Sequence, residues 1–352
     1  MTDAVDVGIF GVGNIGTVHL QTVLACDDVA DVLVADIVDE NRERALALGA
    51  DRAYEAYEDL LATGDPEVVV VALPPFLHAE ATIAAAESGC HVFVEKPFAR
   101  DPGEAEAMLS AADRAGVSLG VDHTSRYRPE VRRVKERYDE GAIGHVPTCS
   151  IWRFNNGPFS APPAGEPPAS WQLDPEATGG GALLDLGVHL FDVLEWFFGD
   201  PSVEHATLDR TLALPYEDAA TIVVSTESGT TATLSCGFFQ WEDPPNVTGG
   251  MRLDGVADSL SSEEFMPSNF VSHAARSALE NVGRRARGGK PEIFKPTYFY
   301  QAHYRALTEF LSAVKEGREP PVTGADGARA VELVTEAYRM ATGPDEPIEV
   351  TR

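Results

Sequence analysis

A short β-rich run from Val5 to Phe10 leads directly into Gly11-Val12-Gly13-Asn14-Ile15-Gly16 and then into a helical pattern, and no other feature constrains the fold of this chain as tightly. In such a loop the first glycine permits a tight turn, the second lets the backbone approach a pyrophosphate, and the third lets the helix pack closely on the strand. The amides at the helix N-terminus then attract phosphate. A glycine-rich turn can exist without a nucleotide, so the flanking strand and helix, rather than the spacing alone, make this a dinucleotide fingerprint.

The same rhythm continues to about Asp122. Strands are predicted over Val5–Phe10, Val29–Asp36, Val68–Leu73, His91–Glu95 and Val117–Val121, with helices starting near Ile15, Asn41, His78 and Pro102. Alternation of this kind predicts a doubly wound parallel sheet, and the VVVVAL run at 68–73 suits a strand buried on both faces. Asp36 closes the second strand 20 residues after Gly16. A carboxylate there accepts hydrogen bonds from the ribose hydroxyls of NAD and repels the 2′-phosphate of NADP, so NAD is favoured; Arg42 and Arg44 keep NADP possible.

A chain of 352 residues is long enough for two domains sharing a cleft. After Asp122 the pattern changes. The expected division is a dinucleotide-binding domain over 1–122 and a substrate-binding and oligomerisation domain over 123–352. In the second part a Pro- and Gly-rich stretch from Gly157 to Pro168 precedes a glycine triplet and one long apolar helix. Alternating residues between Ala206 and Gln240 predict an antiparallel hairpin turning at Ser228-Gly229, and helices are predicted over Tyr300–Val314 and Gly327–Ala341. The class is therefore α/β, a Rossmann sheet followed by an α+β domain with its own open, mostly antiparallel sheet.

Two pieces of the chain carry chemistry. Glu95-Lys96-Pro97 follows the fourth strand, at the carboxyl edge of the sheet where open α/β folds bind ligands. The segment Gly179 to Phe198 reads as a single helix whose polar residues Asp185, His189 and Asp192 fall at i, i+4 and i+7, forming one stripe among Leu, Val, Phe and Trp. Buried polar groups require partners, so the stripe faces a polar cavity or pairs inside the protein. A core histidine or an i, i+4 metal pair would share this pattern, but spacing identifies no third ligand and no metal is assigned.

These residues resemble the glucose-fructose oxidoreductase and inositol dehydrogenase family, Gfo/Idh/MocA. The likeness rests on GVGNIG (11–16), VVVVALPPFLHAE (68–80), GCHVFVEKPFA (89–99) and GGGALLDLGVHLFD (179–192), with further similarity at HTSRYRP (123–129), Trp171 and PVTGADGARAVEL (321–333). The resemblance implies that Lys96, Asp185 and His189 act beside the nicotinamide. It implies that Gly11, Gly13, Asn14, Ile15, Gly16, Asp36, Leu73, Pro74, His78, Glu95 and Lys96 hold the cofactor. It makes Arg126 and Trp171 candidate substrate contacts. In that scheme His189 is the general base, Asp185 orients or charge-stabilises it, and Lys96 polarises the oxygen. Thr124 and Gln172 depart from the family's common residues at their positions, which bears on substrate identity.

The implied reaction is NAD(P)-linked oxidation of a secondary hydroxyl on a sugar, cyclitol or nucleotide-sugar, or the reverse reduction. Two alternatives are a glycosidase or isomerase that recycles bound NAD and a redox-inactive NAD-binding protein. Net NADH formation separates the first from a dehydrogenase. The basic run Arg276, Arg284, Arg285, Arg287 and Lys290 suggests either a phosphate-bearing substrate or a solvated helical face.

Charge limits the partners. The chain has 56 acidic and 27 basic side chains, a net −29, with lysine only at 96, 135, 290, 295 and 315. Nucleic acid and anionic membranes are unfavoured, and the expected partner is a small carbohydrate-type molecule, with a homo-dimer or homo-tetramer implied by the resemblance. Four scattered cysteines, a start without a basic, apolar leader and no apolar run near the roughly 20 residues of a membrane helix lead us to expect a cytoplasmic enzyme. Crowded acids repel at low ionic strength, which suggests a salt-loving source. Thermal melts test this: melting temperature should rise from dilute to molar KCl, and a flat response refutes it.

Overall fold

The computed structural model describes residues 4–160, 168–239, 247–267, 270–287 and 300–342. The chain opens with alternating strands and helices: β1 (Val5–Phe10), α1 (Asn14–Ala25), β2 (Val29–Ala35), α2 (Asp39–Leu48), β3 (Arg52–Tyr54), α3 (Tyr57–Gly64), β4 (Val68–Val71), α4 (Pro75–Glu87), β5 (His91–Val94), α5 (Pro102–Ala115) and β6 (Leu119–Val121). All pairings in this sheet are parallel, in the order β3-β2-β1-β4-β5-β6. The four valines of β4 are fully buried, as a central strand covered on both faces requires.

Sequence periodicity did not reveal β3 or α3. β3 is a three-residue edge strand with partly exposed side chains, too short and too polar to leave an apolar pattern. Strands β2, β4 and β5 also stop earlier than expected. Asp36, Leu73 and Glu95 consequently lie past the strand ends, at the sheet's carboxyl edge.

The remaining elements are α6 (Pro129–Asp139), β7 (Thr148–Asn155), α7 (Pro175–Thr178), α8 (Val188–Phe198), β8 (Pro201–Asp209), β9 (Ala219–Thr226), β10 (Thr231–Phe238), β11 (Val247–Asp254), β12 (Ser259–Ser261), α9 (Phe270–Ala286), α10 (Gln301–Glu316) and α11 (Gly324–Thr342). The second sheet has the order β12-β11-β7-β10-β9-β8, antiparallel except between β7 and β10. Its β9–β10 hairpin turns at Ser228-Gly229, as the sequence predicts, with Gly229 at φ +82°.

The long helix expected from Gly179 is interrupted. A π-helical turn occupies Leu183–Gly187 and regular α8 begins at Val188. The buried Glu217 carboxylate explains the local geometry, since its Oε1 accepts hydrogen bonds from the Gly181 and Leu183 amides and from the Tyr338 hydroxyl. A side chain at Gly181 would lie 2.0 Å from the Glu217 carbonyl oxygen, so only glycine permits this approach.

The C-terminal helices cross the division expected at residues 122 and 123. Ala302, Ala306, Leu307 and Phe310 of α10 join the core beneath the parallel sheet, with the Phe310 and Phe93 rings 5.2 Å apart. α11 serves both cores: Ala328 and Val331 join the first, and Leu333, Val334 and Ala337 join the second. Among the described residues no helix is long and apolar enough to cross a membrane.

The tightest approach in the parallel domain is at Gly16, where an added Cβ would stand 2.0 Å from the Gly11 carbonyl oxygen. Gly16→Ala must push α1 off β1. We expect urea unfolding to show a loss of at least about 1–3 kcal/mol, the range for overpacking a fitted contact.

Candidate active site

The carboxyl edge of the parallel sheet opens into a cleft of about 990 Å³. One end is built by the fingerprint loop: Gly11, Gly13, Asn14 and Ile15 line it, and a Cβ on Gly13 would meet no protein atom within 4 Å. No side chain caps the start of α1 and no acid lies in its first turn, so its amides are available to an anion. Asp36 lines the same end, held by the Val12 amide at 2.8 Å and the Val38 amide at 2.9 Å. Arg42 binds the Asp36 carbonyl and the Asp39 carboxylate, and Arg44 donates to the Val12 carbonyl and to Asn41. Arg44 is thus engaged with the fingerprint loop, and Arg42 with the segment after β2. The loop, the free helix start and the carboxylate together fit a dinucleotide, with open space where its pyrophosphate would pass.

The other end holds Lys96, Asp185 and His189. Lys96 Nζ donates to Asp185 Oδ1 at 2.5 Å, joining the turn after β5 to the π-helical turn of the second domain. Asp185 is therefore paired with Lys96, not with His189 as the sequence scheme held; the π-turn aims its carboxylate across the cleft. His189 is 1% exposed, and neither ring nitrogen has a hydrogen-bond partner among the described residues. Burial, followed by the nearby charges of Arg153 and Lys96, holds its pKa well below 6.5. It is a neutral imidazole at pH 7, able to accept a proton.

Leu73, Pro74, Glu95 and Trp171 also line the cleft, whereas Gly16, His78 and Arg126 do not. Gly16 acts by close packing. His78 is buried behind the wall, its ring nitrogens 2.8 Å from the carbonyls of Leu73 and Pro97, so it ties the β4–α4 turn to the turn bearing Lys96. Arg126 is withdrawn from the cleft by two carboxylates, Asp192 and Asp326, each at 2.8 Å. That also divides the expected polar stripe: Asp185 and His189 face the cleft, and Asp192 faces Arg126.

Arg153, Tyr216 and His303, none of them a candidate from the sequence, also line the cleft. Arg153 could have been noticed, because it continues the buried alternation Cys149, Ile151 along β7. His303 comes from α10, some 180 residues beyond Asp122, whose carboxylate its Nδ1 meets at 2.6 Å. Beside it His19 Nε2 lies 2.8 Å from Glu95. Burial favours the neutral form of Glu95, but the His19 hydrogen bond and the neighbouring His19, His303 and Lys96 outweigh it and bring the carboxyl down to about 2.

The basic run on α9 is elsewhere. Arg284 lines a separate small cavity with Val5, Asp28, Val29 and Lys315, at the amino ends of β1 and β2 and therefore on the opposite edge of the sheet from the fingerprint loop. It cannot meet a substrate at Lys96. Lys290 lies outside the described residues.

Residues 5–123 match the model of an oxidoreductase family with an NAD-binding Rossmann fold, GFO_IDH_MocA, and residues 131–253 match the GFO/IDH/MocA C-terminal domain. The chain is 25% identical to myo-inositol 2-dehydrogenase of Thermotoga maritima over 335 residues, 93% of each chain. It is 28% identical to D-xylose 1-dehydrogenase (NADP(+)) 2 of Haloferax volcanii, covering 95% of this chain and 96% of that one. In fold it resembles the WlbA dehydrogenase of Bordetella pertussis, solved with NADH and UDP-GlcNAcA, with a TM-score of 0.77 at 22% identity and 96% of both chains covered.

The depressed basicity of His189 has a measurable sign. An unfolded imidazole takes up its proton near pH 6.5 while the buried native one does not, so this contribution to stability is lost as pH falls below about 6.5. His189→Gln removes it. The variant should lose less melting temperature than the wild type between about pH 7.5 and about pH 5; equal losses would refute a neutral buried His189.

Proposed function

Because the chain belongs to the Gfo/Idh/MocA family of NAD(P)-dependent oxidoreductases acting on CH–OH groups, we propose that Lys96, Asp185 and His189 carry out the oxidation of a secondary hydroxyl on a sugar or cyclitol, or the reverse reduction. The observation that carries this reading is the meeting of a neutral imidazole and an ion-paired ammonium in one cleft with the dinucleotide loop. A bound nicotinamide dinucleotide supplies the redox partner. The fingerprint loop and the α1 amides would hold its phosphates, and Asp36 its ribose.

His189 accepts the hydroxyl proton on a ring nitrogen that has no hydrogen-bond partner among the described residues. Lys96 donates a hydrogen bond to the same oxygen as its C–O bond gains double-bond character. Asp185 fixes the ammonium by their shared hydrogen bond, and balances its charge so that Lys96 and Arg153 do not together over-polarise the cleft. Burial keeps His189 unprotonated before each turnover, which is the state a base requires.

NAD rather than NADP is supported by the Asp36 carboxylate at the ribose end and by the engagement of Arg42 and Arg44. We place the enzyme in the cytoplasm as a homo-oligomer, on the wide separation of its four cysteines along the sequence and on the partly exposed outer face of the second sheet.

The test is absorbance at the NADH wavelength with a panel of polyols, inositols and aldoses. Lys96→Ala should lower kcat/KM by about 10²–10⁴, the usual yield of a positioned proton donor or acceptor. NAD should be used more efficiently than NADP. Demonstrated NAD binding without NADH formation from any substrate would favour a self-recycling cofactor.

A further inference from the structure

Arg153 is the least compensated charge in the cleft. Its neighbours are matched: Lys96 with Asp185, Arg126 with Asp192 and Asp326, and Arg128 with Glu130. Arg153 has no carboxylate within ion-pair distance among the described residues, in a protein with twice as many acids as bases. Its one side-chain hydrogen bond is a long one, from Nη1 to Ser125 Oγ at 3.4 Å, and its Nε is buried without a partner. Burial and the neighbouring Arg128 charge pull its pKa down to about 10 against the opposing pull of Asp185 and Glu130.

A half-buried guanidinium without an opposing carboxylate is costly. The strand pattern shows that this one is built in: β7 points Cys149, Ile151 and Arg153 to the same face, toward the π-turn and α8. Its fork thus enters the cleft on the side of Asp185 and His189, beyond the Asp36 end. The dinucleotide's phosphates are already provided for at Gly13 and the uncapped start of α1.

We propose that the substrate is a polyhydroxy compound carrying an anionic group, a carboxylate or phosphate, which Arg153 receives while the neighbouring hydroxyl lies at His189 and Lys96. The proposal rests on the dehydrogenase reading of the cleft and narrows its substrate class. Arginine presents two parallel donors to either anion, which gives orientation as well as affinity. Ser125 Oγ accepts the long hydrogen bond from its Nη1, and Thr124, the residue before it, lines the same cleft.

The experiment is calorimetric titration of the enzyme–NADH complex with three matched probes: glucitol, gluconate and glucitol 6-phosphate. NADH binding is measured first, and its absence would sink the dehydrogenase reading itself. With NADH bound, one of the two anions should bind about 100-fold more tightly than glucitol, and which one does so separates carboxylate from phosphate. Arg153→Met should remove that preference, and Arg153→Lys should restore part of it. Equal binding of all three probes, no binding of any, or an anion preference that survives Arg153→Met overturns the proposal. So does a matching loss of NADH affinity in Arg153→Met, which would make Arg153 a cofactor contact. Thermal melting of the unliganded variant is the second readout: relieving an uncompensated, half-buried charge should raise the melting temperature by a few degrees, whereas a merely structural arginine would lower it.

Discussion

The hydrogen-bonded ion pair between Lys96 and Asp185 ties the two halves of the site together. Lys96 stands at the carboxyl edge of the parallel sheet, and Asp185 on a π-turn packed against the second sheet. Neither sheet alone forms a site. Each end of the pair is braced separately: His78 ties the Lys96 turn to the β4–α4 turn, and Glu217 with Tyr338 fixes the glycine triplet that precedes Asp185. An ion pair this exposed contributes little to stability. Its value is positional, because it sets where an ammonium and an imidazole stand relative to one another.

Burial does the electrostatic tuning. His189 and His303 are both held below the ordinary imidazole value mainly by loss of water, and the cations around His189 act in the same direction. Glu95 goes the other way, remaining ionised against burial through its contact with His19. The cleft therefore combines a neutral imidazole with the positive charges of Lys96 and Arg153. Such charges favour a developing oxyanion. The Arg126 network lies behind this layer and performs a different task, joining α8, α11 and the segment after β6 through Asp192 and Asp326.

Much of this was readable in the chain, for reasons of range. The dinucleotide loop, the strand-end position of Asp36 and Lys96, and the proximity of Asp185 and His189 all rest on local spacing, and local backbone geometry carries that over to three dimensions. The failures share the opposite character. Arg126 lies within the HTSRYRP segment, where the resemblance implies a substrate contact, but carboxylates 66 and 200 residues away claim its guanidinium. Asp192 keeps helical phase with Asp185 and His189 in sequence, but the π-turn and the Arg126 charge detach it from the cleft. The arginines of α9 suggested phosphate binding, and the fold carries Arg284 to the far edge of the sheet.

The sequence by itself determined the cofactor loop, the parallel domain and the hairpin of the second sheet, because glycine sterics and hydrophobic period act over a few residues, and it singled out Lys96, Asp185 and His189, which line one cleft. Only the tertiary structure decided which groups those side chains would face. It returned α10 to the first core and so delivered His303 to Asp122, it paired Asp185 with Lys96 instead of His189, and it left Arg153 in the cleft with no carboxylate in ion-pair range among the described residues. Partner choice of this kind depends on long-range packing and desolvation, which no window of local sequence contains.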